Sequence, residues 1–355
     1  MTTMRAARLT GVGVLSLEEV QRPEPGPGEI LLDVESTTLC GTDVRILSGQ
    51  KTSGVTTGVI MGHEIAARVA AVGEGAHSPA VGTQVGLAPE YSCGTCDSCR
   101  AGRSNVCRNM RLFGTTIDGG LAQSILVPAG AVAAGNIVAA DREIDPRLLS
   151  LAEPLSCCLR AHRNLGITAG TTVLVLGTGP IGLIHIALAK AAGASKIIAC
   201  GRPARLAPAR ALGATDTTCA EGADLVAEIM EATSGRGADV VILAVGSVEL
   251  AGLAPRMTAV GGIVSFFAGF GAGELLTVDP NDLHYRELTF AGSANATVDD
   301  YAAAVKMLSQ DEIRLDGLVT HSFSLDRVHD AFEAQRTRAG LKVAVMPGGA
   351  LFGQQ

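Results

Sequence analysis

The chain has 355 residues, 47% of them apolar and 18% charged, with 44 glycines and a formal net charge of −7. Its length and apolar content suit two well-buried domains rather than a disordered chain, and an acidic balance without any basic block argues against nucleic acid or an anionic membrane as partner. The start, Met1-Thr2-Thr3-Met4-Arg5-Ala6-Ala7, lacks the apolar core of a signal peptide, and Pro and Gly interrupt the longer apolar runs, so a soluble cytoplasmic enzyme is expected.

Residues 5–35 read as β-structure. Ala6–Leu9 and Val14–Glu18 are short apolar or alternating runs, Pro23–Gly28 is a loop, and Glu29–Val34 alternates enough for a strand. Ile65–Val72 and Gly82–Leu87 continue the pattern, which points to a barrel-like β-rich core. Between these strands lie Cys40-Gly41-Thr42-Asp43 and Gly62-His63-Glu64. A thiolate, an imidazole and a carboxylate are the donors that a catalytic zinc accepts, and a second carboxylate, Glu153, stands in Ala152-Glu153-Pro154-Leu155. Three protein ligands leave a fourth position open for water or a substrate oxygen. Taken singly, these residues would suit a buried cysteine and a salt-bridged His–Glu pair; the metal reading rests on the set.

Four of the nine cysteines follow at Cys93, Cys96, Cys99 and Cys107, spaced C-x2-C-x2-C-x7-C. An odd cysteine count without an export signal disfavours a disulfide framework, and four clustered thiolates suit a closed structural zinc site in a lobe spanning 90–110. Bacterial iron–sulfur spacing differs, ending C-x3-C-P. Beyond the lobe, Phe113 suits either the core or the metal cleft. Residues 114–128 read as a loop and a strand. Residues 147–165 read as helical, with Pro154 inside or starting a helix and Cys157 and Cys158 as core residues.

From Thr171 the texture changes. Thr172–Leu176 is a buried strand, Gly177-Thr178-Gly179-Pro180-Ile181-Gly182 follows at once, and an apolar helix continues to Lys190. A lone G-x-G-x-x-G is weak, but a strand before it and a helix after it are the context a dinucleotide fold requires: Gly177, Gly179 and Gly182 let a pyrophosphate approach the helix N-terminus, with Pro180 and Ile181 beside it. His185, on that helix, reads as packed. The second strand, Lys196–Cys200, ends at Gly201, where NAD enzymes usually carry an acid for the ribose hydroxyls; Arg202 and Arg205 follow. That favours NADP(H), since arginines pair with a 2′-phosphate; with both arginines merely solvated, NAD would serve. Pro208 sits awkwardly in a helix over Arg205–Leu212. The alternation goes on through a helix at 225–230, a strand at 238–244, a glycine turn and strand over 260–269, and a last strand at 288–292, as a doubly wound parallel sheet does. Ligands of such sheets sit at the strands' carboxyl ends, which places Val245, Phe267, Ala268, Gly292 and Ser293 near the nicotinamide. Residues 299–309 and 326–336 read as amphipathic helices, and 348–355 carry little signal.

In this order, these motifs resemble the zinc-containing medium-chain dehydrogenases, closest to the polyol type of sorbitol, threonine and butanediol dehydrogenases. The resemblance runs from about Leu31 to Val345. It implies a GroES-like catalytic domain over 1–155, a Rossmann domain over 156–293, a return to the catalytic domain over 294–355, and a homodimer or homotetramer. It also implies Cys40 and His63 as zinc ligands, Glu64 or Glu153 as the third in exchange, and Thr42 as the group that passes on the substrate proton. Relatives commonly carry a His at the position of Arg45, and an arginine does not titrate near neutral pH, so either another route delivers the proton or Arg45 contacts a polar or anionic substrate, the bland alternative being a solvated Arg45. The expected reaction is oxidation of a secondary alcohol to its ketone, or the reverse, with a hydride passing between carbinol carbon and nicotinamide. The rivals are a zinc-independent NADPH enone or quinone reductase, and a non-catalytic NADPH-binding protein of the same fold.

Overall fold

A computed structural model describes residues 2–348. The chain forms two compact units: the first holds the residues up to Ser156, then Asn295–Glu312 and the chain from Asp316 on; the second holds Cys157–Ala294 and Ile313–Leu315.

The first unit is built from short strands. β1 (Thr3–Gly11) and β2 (Val14–Gln21) form an antiparallel hairpin. β3 (Ile30–Thr38) is flanked on opposite edges by β4 (Glu64–Val72) and β8 (Ser124–Val127), both antiparallel to it. β5 (Gln84–Leu87) pairs with β4, and β9 (Ile137–Ala139) with β5. β6 (Glu90–Tyr91) and β7 (Arg111–Leu112) form a small separate ribbon that brackets the cysteine-rich lobe. Ile30, Leu31, Leu32 and Val34 are all buried, so β3 is covered on both faces, and its apolar run is longer than simple alternation would give. Phe113 is 1% exposed and packs with Ile65, Val85 and Leu87, in the core rather than at a cleft.

The second unit is one six-stranded parallel sheet of β10 (Thr172–Leu176), β11 (Lys196–Cys200), β12 (Asp216–Thr218), β13 (Ala238–Leu243), β14 (Thr258–Phe266) and β15 (Thr289–Gly292), in the order β12-β11-β10-β13-β14-β15. Strand order reverses between β10 and β13, the switch point where such sheets bind ligands. The glycines expected as a turn at Gly261-Gly262 lie inside β14, where its register with β13 slips. Pro208 is the third residue of a helix over Leu206–Leu212, preceded by a 3-10 turn at Pro203–Arg205. In a first turn the backbone N–H has no partner within the helix, so proline costs little there, and the apparent conflict vanishes.

The chain returns to the first unit through a helix at Val298–Ser309, then β16 (Val319–Ser324), a helix at Val328–Thr337 and β17 (Lys342–Met346). β17 runs parallel to β16 and antiparallel to β3, with Ala344 opposite Thr38. The helical stretch expected over 147–165 is two helices, Pro146–Leu149 and Ala152–His162, with Pro154 in the first turn of the second. No helix among the described residues is long and apolar enough to cross a membrane.

Candidate active site

Cys40 stands at the N-terminus of helix α1 (Gly41–Leu47). Asp43, fully buried in its first turn, accepts a hydrogen bond from the Cys40 backbone N–H through Oδ2 at 2.8 Å, and its Oδ1 lies 3.2 Å from His63 Nδ1, off hydrogen-bond alignment. One carboxylate thus braces both segments of the motif. Gly62 has φ of +89°, and a Cβ there would lie 2.7 Å from Thr37 Cγ2, so only glycine turns the chain into His63 at this point. His63 and Glu64 are buried, and one ligand atom each of Cys40, His63 and Glu64 lies within 4.8 Å of the others. Burial alone would lower the His63 pKa, but Asp43 and then Cys40 outweigh it and hold it well above the usual imidazole value. The role of Asp43 was missed in the sequence, although an acid three residues after a helix-starting residue is a recognisable capping signal. Nearby, Arg45 Nη2 donates to Thr42 Oγ1 at 3.2 Å.

Lys342, at the start of β17, donates from Nζ to both carboxylate oxygens of Glu64 and, at 3.2 Å, to the Leu39 carbonyl; Thr38 Oγ1 also donates to Glu64 Oε2. Lys342 is 3% exposed and Glu64 not at all. Strand register makes the meeting: Glu64 opens β4 opposite Thr38, at the end of β3 beside which β17 runs. Burial opposes the Lys342 charge, but Glu64 and Cys40 raise its pKa, so the ammonium persists. No local pattern in the sequence links positions 278 residues apart.

Glu153 falls outside the Cys40–His63–Glu64 group. It lies in the first turn of helix α2 (Ala152–His162), with a carboxylate oxygen within 4.8 Å of one from Glu90. Both residues are buried, and Glu90 Oε1 accepts from the Ala296 backbone N–H at 3.4 Å. Burial first, and Glu153 second, push the Glu90 carboxyl up to about 8. Glu90 carries no spacing signature in the sequence, which is why it was missed.

In the lobe, the sulfurs of Cys96 and Cys99 lie 3.5 Å apart, those of Cys96 and Cys107 3.8 Å, and those of Cys107 and Cys93 3.5 Å. Four thiolates about 2.3 Å from a tetrahedral ion would be separated by about 3.8 Å, so the cage fits zinc. Backbone N–H groups of Cys93 and Asn109 point at Cys107 Sγ at 3.4 and 3.3 Å, as they would towards a thiolate.

In the second unit the glycine motif joins β10 to helix α3 (Pro180–Ala191), with Gly179 just before the helix and Pro180 as its first residue. A Cβ on Gly182 would lie 1.8 Å from the Gly177 carbonyl oxygen; its absence lets the helix pack against the turn. Ile181 follows Pro180 on that first turn. Gly201 directly follows β11, and a Cβ there would lie 1.8 Å from Thr178 Oγ1. The space of the missing acid is therefore filled by the Thr178 side chain. Arg202, just before the 3-10 turn, is exposed, and Arg205, the last residue of that turn, is half-buried. Val245 lies just past the carboxyl end of β13, Phe267 and Ala268 past β14, and Gly292 and Ser293 at the end of β15. Phe267 meets the buried His185 ring edge-on at 4.6 Å between centroids; His185 Nδ1 lies 3.0 Å from His162 Nε2.

Residues 26–136 match the family description "Alcohol dehydrogenase GroES-like domain", and residues 180–310 match "Zinc-binding dehydrogenase". L-threonine 3-dehydrogenase of Pyrococcus horikoshii is 33% identical, over 93% of this chain and 94% of its own. L-galactonate-5-dehydrogenase of Escherichia coli K12 is 32% identical, over 94% and 95%. A solved structure from Sinorhizobium meliloti 1021, described as a zinc-binding dehydrogenase bound to NADP, is 34% identical with a TM-score of 0.91, over 98% of this chain and 100% of that one. A GroES-like unit, a Rossmann unit and a thiolate–imidazole–carboxylate cluster define a metal-assisted nicotinamide oxidoreductase. The chain belongs to the zinc-containing medium-chain dehydrogenase/reductase family. It is an NAD(P)-dependent alcohol dehydrogenase, interconverting an alcohol and its carbonyl compound.

Proposed function

We propose that the enzyme interconverts a secondary alcohol in a polyol, sugar or cyclitol derivative with its ketone, uses NADP(H), and holds two zinc ions per chain in a cytoplasmic homo-oligomer. The observation that carries this reading is the gathering of Cys40, His63 and Glu64 around one point, with Asp43 buried behind His63. Cys40, His63 and one carboxylate, Glu64 or Glu153, would hold the catalytic zinc, and Cys93, Cys96, Cys99 and Cys107 the structural one. Zinc in the first position supplies Lewis-acid polarisation of the substrate hydroxyl, and the nicotinamide takes up or gives the hydride.

The chain's own groups do the rest. Asp43 holds the Nδ1 side of His63, which leaves Nε2 for the ligand role. Thr42 takes up the substrate hydroxyl proton at Oγ1 as it hands its own hydroxyl hydrogen on to solvent water, and Arg45, which donates to that oxygen, fixes its orientation without itself accepting the proton. The two named relatives act, by name, on carbon 3 of threonine and carbon 5 of galactonate; both substrates bear a carboxylate, for which Arg45 offers a partner. Absence of an acid at Gly201, the exposed Arg202 beside it, and NADP in the Sinorhizobium structure support NADP over NAD. Gly177, Gly179, Pro180, Ile181 and Gly182 would receive the pyrophosphate, Gly201, Arg202 and Arg205 the adenosine ribose phosphate, and Val245, Phe267, Ala268, Gly292 and Ser293 the nicotinamide end.

The test is a cofactor-coupled absorbance screen of polyols, sugar acids and their ketones with NAD and NADP, together with elemental analysis. Cys40→Ser and His63→Ala lose turnover and about one of two zinc ions per chain while still binding NADPH. Full turnover by a Cys40→Ser protein without catalytic metal, or wild-type protein free of zinc as a quinone reductase would be, overturns the reading.

A further inference from the structure

We infer that Lys342 is a positioning residue that keeps Glu64 off the catalytic metal, leaving the coordination position to Glu153 or to an incoming ligand. The inference rests on the metal reading above and goes beyond it by assigning which carboxylate is held in reserve and by what. Glu64 is adjacent to His63 in sequence and near Cys40 in space, so distance alone would let it coordinate. Both of its oxygens, however, already accept from the Lys342 ammonium, and one also accepts from Thr38 Oγ1. The clamp is itself anchored: Lys342 Nζ donates at 3.2 Å to the Leu39 carbonyl, one residue before Cys40. Lys342 is almost wholly buried and Glu64 is not exposed at all, so water is a poor alternative partner for either charge. Deprived of the ammonium, the buried carboxylate would be left uncompensated, and an ion held by Cys40 and His63 would be the cation within its reach. Strand pairing gives the clamp its stiffness, because Thr38 lies opposite Glu64 in one ladder and opposite Ala344, two residues after Lys342, in the other.

Cobalt substitution of the whole enzyme tests this, since the visible d–d bands of cobalt report ligand number without any turnover. Spectra are taken as differences from Cys40→Ser, which cancels the cobalt held by the four-cysteine lobe. Wild type and Lys342→Arg are expected to give the same spectrum. Lys342→Met is expected to shift and weaken the bands as Glu64 joins, and Lys342→Met with Glu64→Gln to restore the wild-type form. An unchanged spectrum in a folded, cobalt-loaded Lys342→Met protein overturns the inference. Should that variant not fold, Glu64→Gln alone decides: an unchanged spectrum supports a carboxylate held in reserve, and a changed one shows Glu64 already ligating, against the inference. A wild-type difference spectrum with no thiolate-to-cobalt band would sink the underlying metal reading, and that failure is distinct from the others.

Discussion

Asp43 touches neither of the expected reactants, yet two ligand segments depend on it: it takes the Cys40 backbone N–H and faces His63 Nδ1. Carboxylates behind a ligating histidine typically contribute about 10–100-fold in metal affinity, so Asp43→Ala is expected to weaken the catalytic zinc by that factor in chelator competition while the four-cysteine site is unchanged. Equal affinities would mean that the carboxylate only caps its helix. Thr178 and Gly201 make a second residue-level argument. A Cβ at position 201 would lie 1.8 Å from Thr178 Oγ1, so Gly201→Asp alone forces the strand end and the glycine turn apart. Overpacking of this kind costs on the order of 1–3 kcal/mol, seen as a lower urea midpoint, and the variant gains little use of NAD. Thr178→Gly combined with Gly201→Asp removes the clash and is expected to recover stability and to move the NAD-to-NADP ratio of kcat/KM towards NAD. A Gly201→Asp protein as stable as wild type would show that the contact relaxes freely.

Helices α2 and α3 meet through a histidine pair, half-buried His162 against buried His185, with ring centroids 5.2 Å apart and nearly parallel. Burial lowers the His162 pKa to about 4 and, with His162 adding to it, lowers that of His185 well below the ordinary value of 6.5. In the unfolded chain both titrate near 6.5, so between about 4 and 6.5 the unfolded state binds more protons. Their stabilising share is complete above that window and is lost as pH falls through it, by up to roughly 1.4 kcal/mol per pH unit for each site. His185→Leu is expected to flatten the fall in urea midpoint between pH 6.5 and 4.5 relative to wild type; parallel curves would show that neither ring governs the slope. The same two helices show which elements a sequence reveals. α3 was legible because strand, glycine turn and apolar helix are contiguous, and their chemistry is local. Pro154 and Pro208 looked disruptive only because helix starts are not visible to within a residue; both lie in first turns. Lys342 and Glu90 were invisible for another reason. Each acquires its meaning from a partner that strand pairing or helix packing brings from elsewhere in the chain, and spacing holds no record of it.

On the scale of the whole molecule, apolar surface left in water is the informative quantity. Among the described residues, seven exposed valines are scattered from Val12 to Val260, whereas three larger apolar side chains are exposed within one short segment: Leu275 at 86%, Leu283 at 38% and Tyr285 at 76%. That segment leads within a few residues into β15, the edge strand of the parallel sheet, whose outer edge pairs with no other strand among the described residues. An edge strand flanked by bare apolar side chains is a template for pairing, and lone proteins usually blunt such edges with charge or proline. A second copy presenting the same edge would cover both, and an isologous contact of this kind closes as a dimer without leaving a further edge. Light scattering of the purified enzyme is therefore expected to give a multiple of the single-chain mass. Replacing Leu275 and Tyr285 together with lysine would place like charges against each other across the two-fold axis and shift the population towards single chains. The metal content of the variant should stay that of wild type, since neither position touches a cysteine or histidine cluster. An unchanged mass would place the contact elsewhere on the surface, and a wild type that is monomeric at every concentration would end the oligomer reading.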